Sequence, residues 1–179
     1  MNTHPLRAIA VRTDGLDHDA ADIGPTYAFA NLMTPEDRRR LLESWLRLEP
    51  HADRLATVFF DRLFELAPES RRLFVGATLE SQFLRFAYML VELVALHDEP
   101  HKMLLATAEL GQRLSRYGIT DAHYLAVSQA ISAMLTRAPE ACATPESRAA
   151  WHEAYDLLTA IMRRAAARRT LPERLPRAS

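Results

Sequence analysis

Residues 110–124 read LGQRLSRYGITDAHY, and this stretch contains the end of one predicted helix and the start of the next. Gly118 can end the first helix in a left-handed conformation, which glycine adopts without strain. Thr120 and Asp121 then suit the start of the second helix, because short polar side chains accept hydrogen bonds from the free backbone N–H groups there. The stretch therefore predicts two long helices joined by a short turn.

Two other helix starts share one pattern. Thr34-Pro35-Glu36-Asp37 and Thr144-Pro145-Glu146-Ser147 both place a capping threonine before a proline, and proline suits the first position of a helix. Apolar residues recur at helical spacing after each start and between them. The chain contains no segment with the alternation of a β-strand. The pattern predicts helices over about 34–48, 51–67, 79–96, 100–116, 121–137 and 145–168, with a short turn through 73–74.

Composition limits the class of protein. With 179 residues, 49% of them hydrophobic and 25% charged, the chain fits one soluble domain. The formal net charge of −1 gives no general attraction to nucleic acid or to an anionic membrane. The longest apolar stretch, within 86–96, is too short to span a bilayer. Cys142 is the single cysteine, which excludes an internal disulfide, and we expect a cytoplasmic location.

The two ends of the chain differ from the middle. Residues 1–33 contain two glycines and two prolines and show no sustained helical period. We expect this segment to be a partly disordered extension. The domain itself is predicted to cover 34–169, and 170–179 to form a loose tail.

Several segments, taken in order, resemble a bacterial globin of the single-domain or flavohaemoglobin-like kind. They are FFDRLFELAP at 59–68 with Leu73-Phe74 after it, LGQRLSRYGI at 110–119, DAHY at 121–124 and TPESRAAWHEAY at 144–155. The resemblance covers about residues 34–169. It implies an all-α, globin-like fold of six to eight helices around an apolar slot, and in that family the slot normally holds haem.

The resemblance places Leu114 where the family has the histidine that binds the haem iron. A leucine side chain has no lone pair and can only line the slot. Phe60 stands where the family often has a tyrosine that donates a hydrogen bond to bound oxygen, and phenylalanine has no donor. Ala166 lies near the position of a glutamate that often completes the group around the histidine. The three differences together indicate a loss of iron chemistry.

At other positions this sequence has the same type of residue as the family it resembles. Gln82 matches the family's polar residue on the distal side of the haem, where oxygen binds. Phe74 matches a phenylalanine that packs against the haem. Tyr124 matches a tyrosine that contacts the iron-binding histidine. Arg85 can pair with a carboxylate, or it can be an ordinary surface arginine. Phe86 and Met89 share a helix face with Gln82 and can line the slot or fill it. The candidate ligand-binding residues are therefore Phe60, Phe74, Gln82, Arg85, Phe86, Met89, Leu114 and Tyr124.

Another nearby histidine could replace the missing one only if a helix were shifted, and the sequence does not favour this. His101 precedes Leu114 by thirteen residues, which is roughly 20 Å along a helix. His97 is farther away. His123 is the neighbour of Tyr124 and is expected to point elsewhere if Tyr124 points inward. No metal site is predicted.

The sequence favours a sensory or regulatory ligand-binding domain over an enzyme. Its slot is either filled by side chains or holds an iron-free ligand, such as a bilin-type tetrapyrrole or a lipid. Cys142 can anchor a bilin, although an unreactive loop cysteine is the ordinary alternative. The alternative function is a haem-binding, oxygen- or gas-binding globin with unusual or absent proximal ligation. We expect a small apolar ligand, a signalling partner protein and a homodimer through the last two helices, but no nucleic acid or membrane as a partner.

Overall fold

A computed structural model of the protein describes residues 33–95 and 99–170. This part of the chain forms six α-helices and contains no strand. They are α1 (Pro35–Leu48), α2 (Ala52–Leu66), α3 (Leu79–Ala95), α4 (Pro100–Arg116), α5 (Asp121–Arg137) and α6 (Pro145–Thr170). Two short 3-10 segments, Glu49–His51 and Pro68–Phe74, flank α2. The predicted extension lies outside the described residues apart from Met33, as does the predicted tail apart from Thr170, so both stay predictions.

The helix ends follow the local signals of the sequence. The Thr34 hydroxyl accepts a hydrogen bond from the Asp37 backbone N–H at 3.1 Å, and Pro35 begins α1. Gly118 has a φ of 79° in the turn after α4, which any residue with a Cβ would adopt only under strain. Each of the six predicted helices is present, within about two residues at each end. Because α6 continues to Thr170, it is slightly longer than predicted.

Two helix pairs make the most extensive contacts in the fold. Helix α4 packs against α6, and α2 packs against α5. Gly111 on α4 lies directly against the backbone of Met162 on α6, so the two helices approach closely at this point. Residues of α2, α3, α4, α5, α6 and the Pro68–Phe74 segment line a cavity.

The centre of the core is aromatic and contains a buried hydrogen bond between two side chains. Trp151 on α6 is 1% exposed, and its Nε1–H donates to the Ser44 hydroxyl on α1 at 2.8 Å. The rings of Trp45 and Trp151 meet edge to face at a centroid distance of 6.2 Å. Since a buried indole N–H without a partner is costly, this bond fixes how α1 sits on α6.

We expect Ser44→Ala and Trp151→Phe each to lower the free energy of unfolding by about 1–2 kcal/mol, because each change breaks the buried bond. The double variant should cost less than the sum of the two, by about 1 kcal/mol. Urea unfolding of the four proteins measures this coupling. Strictly additive losses would show that the bond contributes nothing to stability.

Among the described residues, none of the helices combines the length and hydrophobicity needed to cross a membrane.

Candidate functional site

An apolar cavity of about 150 Å³ lies between α3 and α4 and opens to the surface. Phenylalanines from α2 and from the end of the Pro68–Phe74 segment belong to its lining. Helices α5 and α6 also contribute residues to the lining. The structure therefore contains a slot at the position that the sequence predicts.

All eight predicted ligand-binding residues line this cavity. They are Phe60 on α2, Phe74 at the end of the 3-10 segment, Gln82, Arg85, Phe86 and Met89 on α3, Leu114 on α4 and Tyr124 on α5. The fold thus brings together residues as far apart in the sequence as Phe60 and Tyr124. Their role in binding a ligand stays a prediction.

The cavity walls contain apolar side chains that the protein itself covers only in part. Phe74, Phe86, Met89 and Leu114 all pack against the main core and yet are only half-buried. They come from the 3-10 segment, α3 and α4, and all of them line the cavity. Exposed apolar surface that converges on one opening is typical of a site for an apolar ligand. Phe60, by contrast, is 1% exposed and packs edge to face on Phe74 at a centroid distance of 4.9 Å.

Two arginines are among the lining residues, although the surface that the lining exposes to the cavity is apolar. Arg85 on α3 is exposed, and Arg113 on α4 has a side chain that is 16% exposed. Both line the cavity, each from a different helix. Arg113 Nη2 is 3.8 Å from a Glu109 carboxylate oxygen, which is a long ion pair within α4. Arg113 is not among the predicted binding residues, although it directly precedes Leu114 and lies on the same helix turn.

His123 lines the cavity, which corrects the expectation that it points elsewhere. Its Nδ1 accepts a hydrogen bond from the Thr120 backbone N–H at 3.1 Å, and its Nε2 lies 3.1 Å from a Glu69 carboxylate oxygen. The ring reaches back to cap α5, the role that a glutamate or glutamine usually has three residues after a capping threonine. That spacing, Thr120 followed by His123, was the signal in the sequence that could have predicted its direction.

Tyr124 and Tyr155 are buried phenols beside the cavity. Burial raises the pKa of Tyr124 to about 12, and the nearby Arg163 only partly opposes this increase. Burial likewise raises the pKa of Tyr155, whose hydroxyl donates to the Tyr124 backbone carbonyl at 3.0 Å. Both side chains are therefore neutral over the whole range in which the protein is expected to work.

These phenols predict a loss of stability at alkaline pH. Tyr124 loses its proton near pH 10 in the unfolded chain and near pH 12 in the folded protein. Between these values the unfolded chain binds fewer protons than the folded protein. The contribution of Tyr124 to the free energy of unfolding therefore falls by about 2 kcal/mol as the pH rises from 10 to 12. Urea unfolding between about pH 9 and pH 12 measures the slope. In Tyr124→Phe the slope should be smaller, and an unchanged slope would contradict the assignment.

The remaining sequence candidates do not reach the cavity. Cys142 is buried in the core between α5 and α6 and is not part of the cavity wall, so the structure gives no support to a bilin anchored there. His101 is exposed near the start of α4 and is not part of the wall either. His97 falls in 96–98, outside the described residues.

Comparison with known proteins identifies the family. A family model described as Globin matches residues 57–162, which is more than half of the chain. The chain is 26% identical over 144 residues to anaerobic nitrite reductase HBII of Casuarina glauca, covering 73% of this chain and 90% of that protein. It is 28% identical over 138 residues to anaerobic nitrite reductase NSHB5 of Oryza sativa subsp. indica, covering 69% and 88%. It is 23% identical over 146 residues to an anaerobic nitrite reductase of Gossypium hirsutum, covering 74% and 90%.

These relatives are plant proteins, so they do not support the bacterial, flavohaemoglobin-like subgroup that the sequence suggested. The fold prediction is confirmed, because the family match falls on the six-helix domain and the described residues form no strand. The chain belongs to the globin family.

Proposed function

We propose that this protein is a tetrapyrrole-binding globin, with haem as the first candidate ligand. The observation that carries the proposal is the open cavity between α3 and α4, where half-buried apolar side chains meet beside two arginines. Membership of the globin family favours haem over a bilin or a lipid, since globin helices pack around a haem pocket. The proposal therefore replaces the iron-free sensor, which the comparisons do not support, with the alternative function.

The cavity fits the ring and the acid groups of a tetrapyrrole. Phe86 on α3 and Leu114 on α4 offer apolar surfaces to the two faces of a flat ring. Arg85 and Arg113 can form charge-assisted hydrogen bonds with its carboxylates. The present volume of about 150 Å³ is smaller than that of a pocket for a drug-sized ligand, so side chains at the opening must move aside on binding. Met89 and Arg85 are flexible enough to do so.

The cavity is less suited to the iron of haem than to its ring and its carboxylates. When bound, haem supplies an iron centre that takes gases, and in globins a histidine of the protein holds that iron. Leu114, the residue that the resemblance places there, faces the cavity with an aliphatic side chain. We propose that the protein lacks this proximal bond. Its own residues enclose the ring, exclude water and bind the carboxylates.

The test is a titration of the purified full-length chain with haemin, monitored by the absorption of haemin and by quenching of tryptophan fluorescence. We expect saturable binding at one haemin per chain. Arg113→Gln should weaken it by about tenfold, because a charge-assisted hydrogen bond is lost at a partly exposed site. The dimethyl ester of haemin has no free carboxylate, so Arg113→Gln should not change its affinity.

Arg116→Gln is the matched control for this experiment. Arg116 is an exposed arginine one turn further along α4 and is not part of the cavity wall. Its replacement should leave haemin binding unchanged. The absence of saturable binding by haemin and by other tetrapyrroles would overturn the proposal. In that case, extraction of a fatty acid from the purified protein would identify a lipid carrier, and an empty protein would indicate a filled slot.

A further inference from the structure

The metal-binding atoms around the cavity are few, and α4 supplies none of them. Leu110 and Leu114 lie one turn apart on this wall, and both are aliphatic. Between them, Gly111 packs against the α6 backbone. The guanidinium of Arg113 is cationic and has no lone pair to donate. The wall that normally holds the metal in this family is therefore inert toward it.

The one histidine among the described cavity residues already has partners for both ring nitrogens. Thr120 donates its backbone N–H to His123 Nδ1, and the Glu69 carboxylate lies 3.1 Å from Nε2. These contacts join the start of α5 to the 3-10 segment that carries Phe74. For His123 to bind a metal, it would have to give up its contact with Glu69 or with Thr120.

The buried oxygen donors are in the wrong state or already engaged. Iron binds tyrosine as the phenolate, and burial keeps Tyr124 and Tyr155 protonated by raising the pKa of both groups. The Tyr155 hydroxyl also donates to the Tyr124 carbonyl. Gln82 on the opposite wall already interacts within the protein.

The two methionines are the remaining soft donors. Met162 on α6 is 4% exposed, and its backbone is held against Gly111 of α4. Met89 on α3 is half-buried at the cavity. A thioether is a weak, uncharged ligand, and in haem proteins it acts together with a histidine on the other face of the ring. The described cavity offers no histidine free for that role.

We infer that the cavity binds a tetrapyrrole through its ring and carboxylates, without any bond between the protein and the metal. This inference rests on the proposed function and sharpens the class of ligand. A site of this kind takes metal-free, zinc-loaded and iron-loaded porphyrins alike, because each presents the same ring and the same acid groups. In this respect the protein selects the macrocycle rather than its metal.

The experiment compares three ligands on the full-length chain: haemin, zinc protoporphyrin IX and metal-free protoporphyrin IX. Quenching of tryptophan fluorescence gives a Kd for each. We expect the three values to agree within about tenfold. Haemin that binds more than about tenfold tighter than the metal-free ring would overturn the inference but leave the proposed function intact. Failure of all three to saturate would overturn the proposed function and the inference with it.

If the protein binds haemin more tightly than metal-free protoporphyrin IX, variants identify the residue that binds the metal. His123→Ala, Met89→Leu and Met162→Leu each remove one candidate atom, and the leucine variants nearly conserve volume. A preference that disappears in one of them assigns the metal ligand to that residue and rejects the inference. In the inferred case, all three variants bind haemin and metal-free protoporphyrin IX with the same ratio of affinities as the unchanged protein.

Discussion

Replacing Leu114 with histidine should raise the affinity for haemin by about 100-fold or more while leaving the affinity for metal-free protoporphyrin IX unchanged. Leu114 is half-buried and faces the cavity from α4, so an imidazole there presents a nitrogen lone pair to the centre of a bound ring. A gain of this size corresponds to about 3 kcal/mol of binding free energy. Parallel fluorescence titrations with the two ligands measure it.

The backbone around Leu114 supports this expectation. Its carbonyl accepts hydrogen bonds from the backbone N–H groups of Tyr117 at 3.0 Å and Ile119 at 3.1 Å, which close the end of α4. The main chain at this position is therefore fixed, and a new side chain keeps the direction of the old one. The substitution therefore adds a nitrogen ligand to the cavity wall without moving the backbone of α4.

Gln112→His is the matched control. It adds the same imidazole to the same helix, at a half-buried position that is not part of the cavity wall. Its affinities for both ligands should stay as they are. An equal gain for haemin and for the metal-free ring in Leu114→His would mean that the histidine acts by packing. A folded Leu114→His protein with no gain for haemin would mean that Leu114 does not face the ring centre.

The sequence predicted the helices well because their ends are set by neighbours in the chain. A threonine cap, a proline at the first position and a glycine after the last turn act within four residues, as Thr34 and Gly118 show. The cavity residues were predictable for a related reason, since Gln82, Phe86 and Met89 repeat at helical spacing on one face. The resemblance supplied the facing wall at Leu114.

What the sequence did not predict depends on contacts between distant segments. The bond between Trp151 and Ser44 joins residues 107 positions apart. The direction of His123 depends on Glu69, which belongs to another segment of the fold. Arg113 becomes a candidate for binding a carboxylate only because the fold brings it to the same cavity as Arg85, which lies on another helix. No local pattern contains these relations, because they arise when the helices pack.

Gly111 shows the same limit most clearly, since a glycine inside a helix reads locally as a weak point. In the structure it is the place where α4 and α6 meet. A Cβ added there would lie 2.5 Å from the Met162 Cα and 2.8 Å from its carbonyl carbon. Those are backbone atoms, which cannot rotate away as the end of a side chain can.

We therefore expect Gly111→Ala to lower the free energy of unfolding by about 3 kcal/mol. Alanine improves the helix propensity by about 1 kcal/mol, but separating two packed helices costs more than this gain. Thermal unfolding should show a decrease in Tm of about 6–12 °C for a chain of this length. The affinity for haemin should fall as well, since Leu110 and Leu114 on α4 and Met162 on α6 line the same cavity.

Gly118→Ala separates crowding from backbone strain. Gly118 has positive φ, and a Cβ there would meet no atom within 4 Å. Its replacement should cost only the strain of a left-handed alanine, about 1–2 kcal/mol, and should leave haemin binding almost unchanged. If Gly111→Ala proved no more harmful than Gly118→Ala, the close approach of α4 and α6 would not be what sets the width of the cavity. If Gly111→Ala loses more stability and more affinity than Gly118→Ala, the contact between α4 and α6 determines where Leu114 lies in the cavity wall.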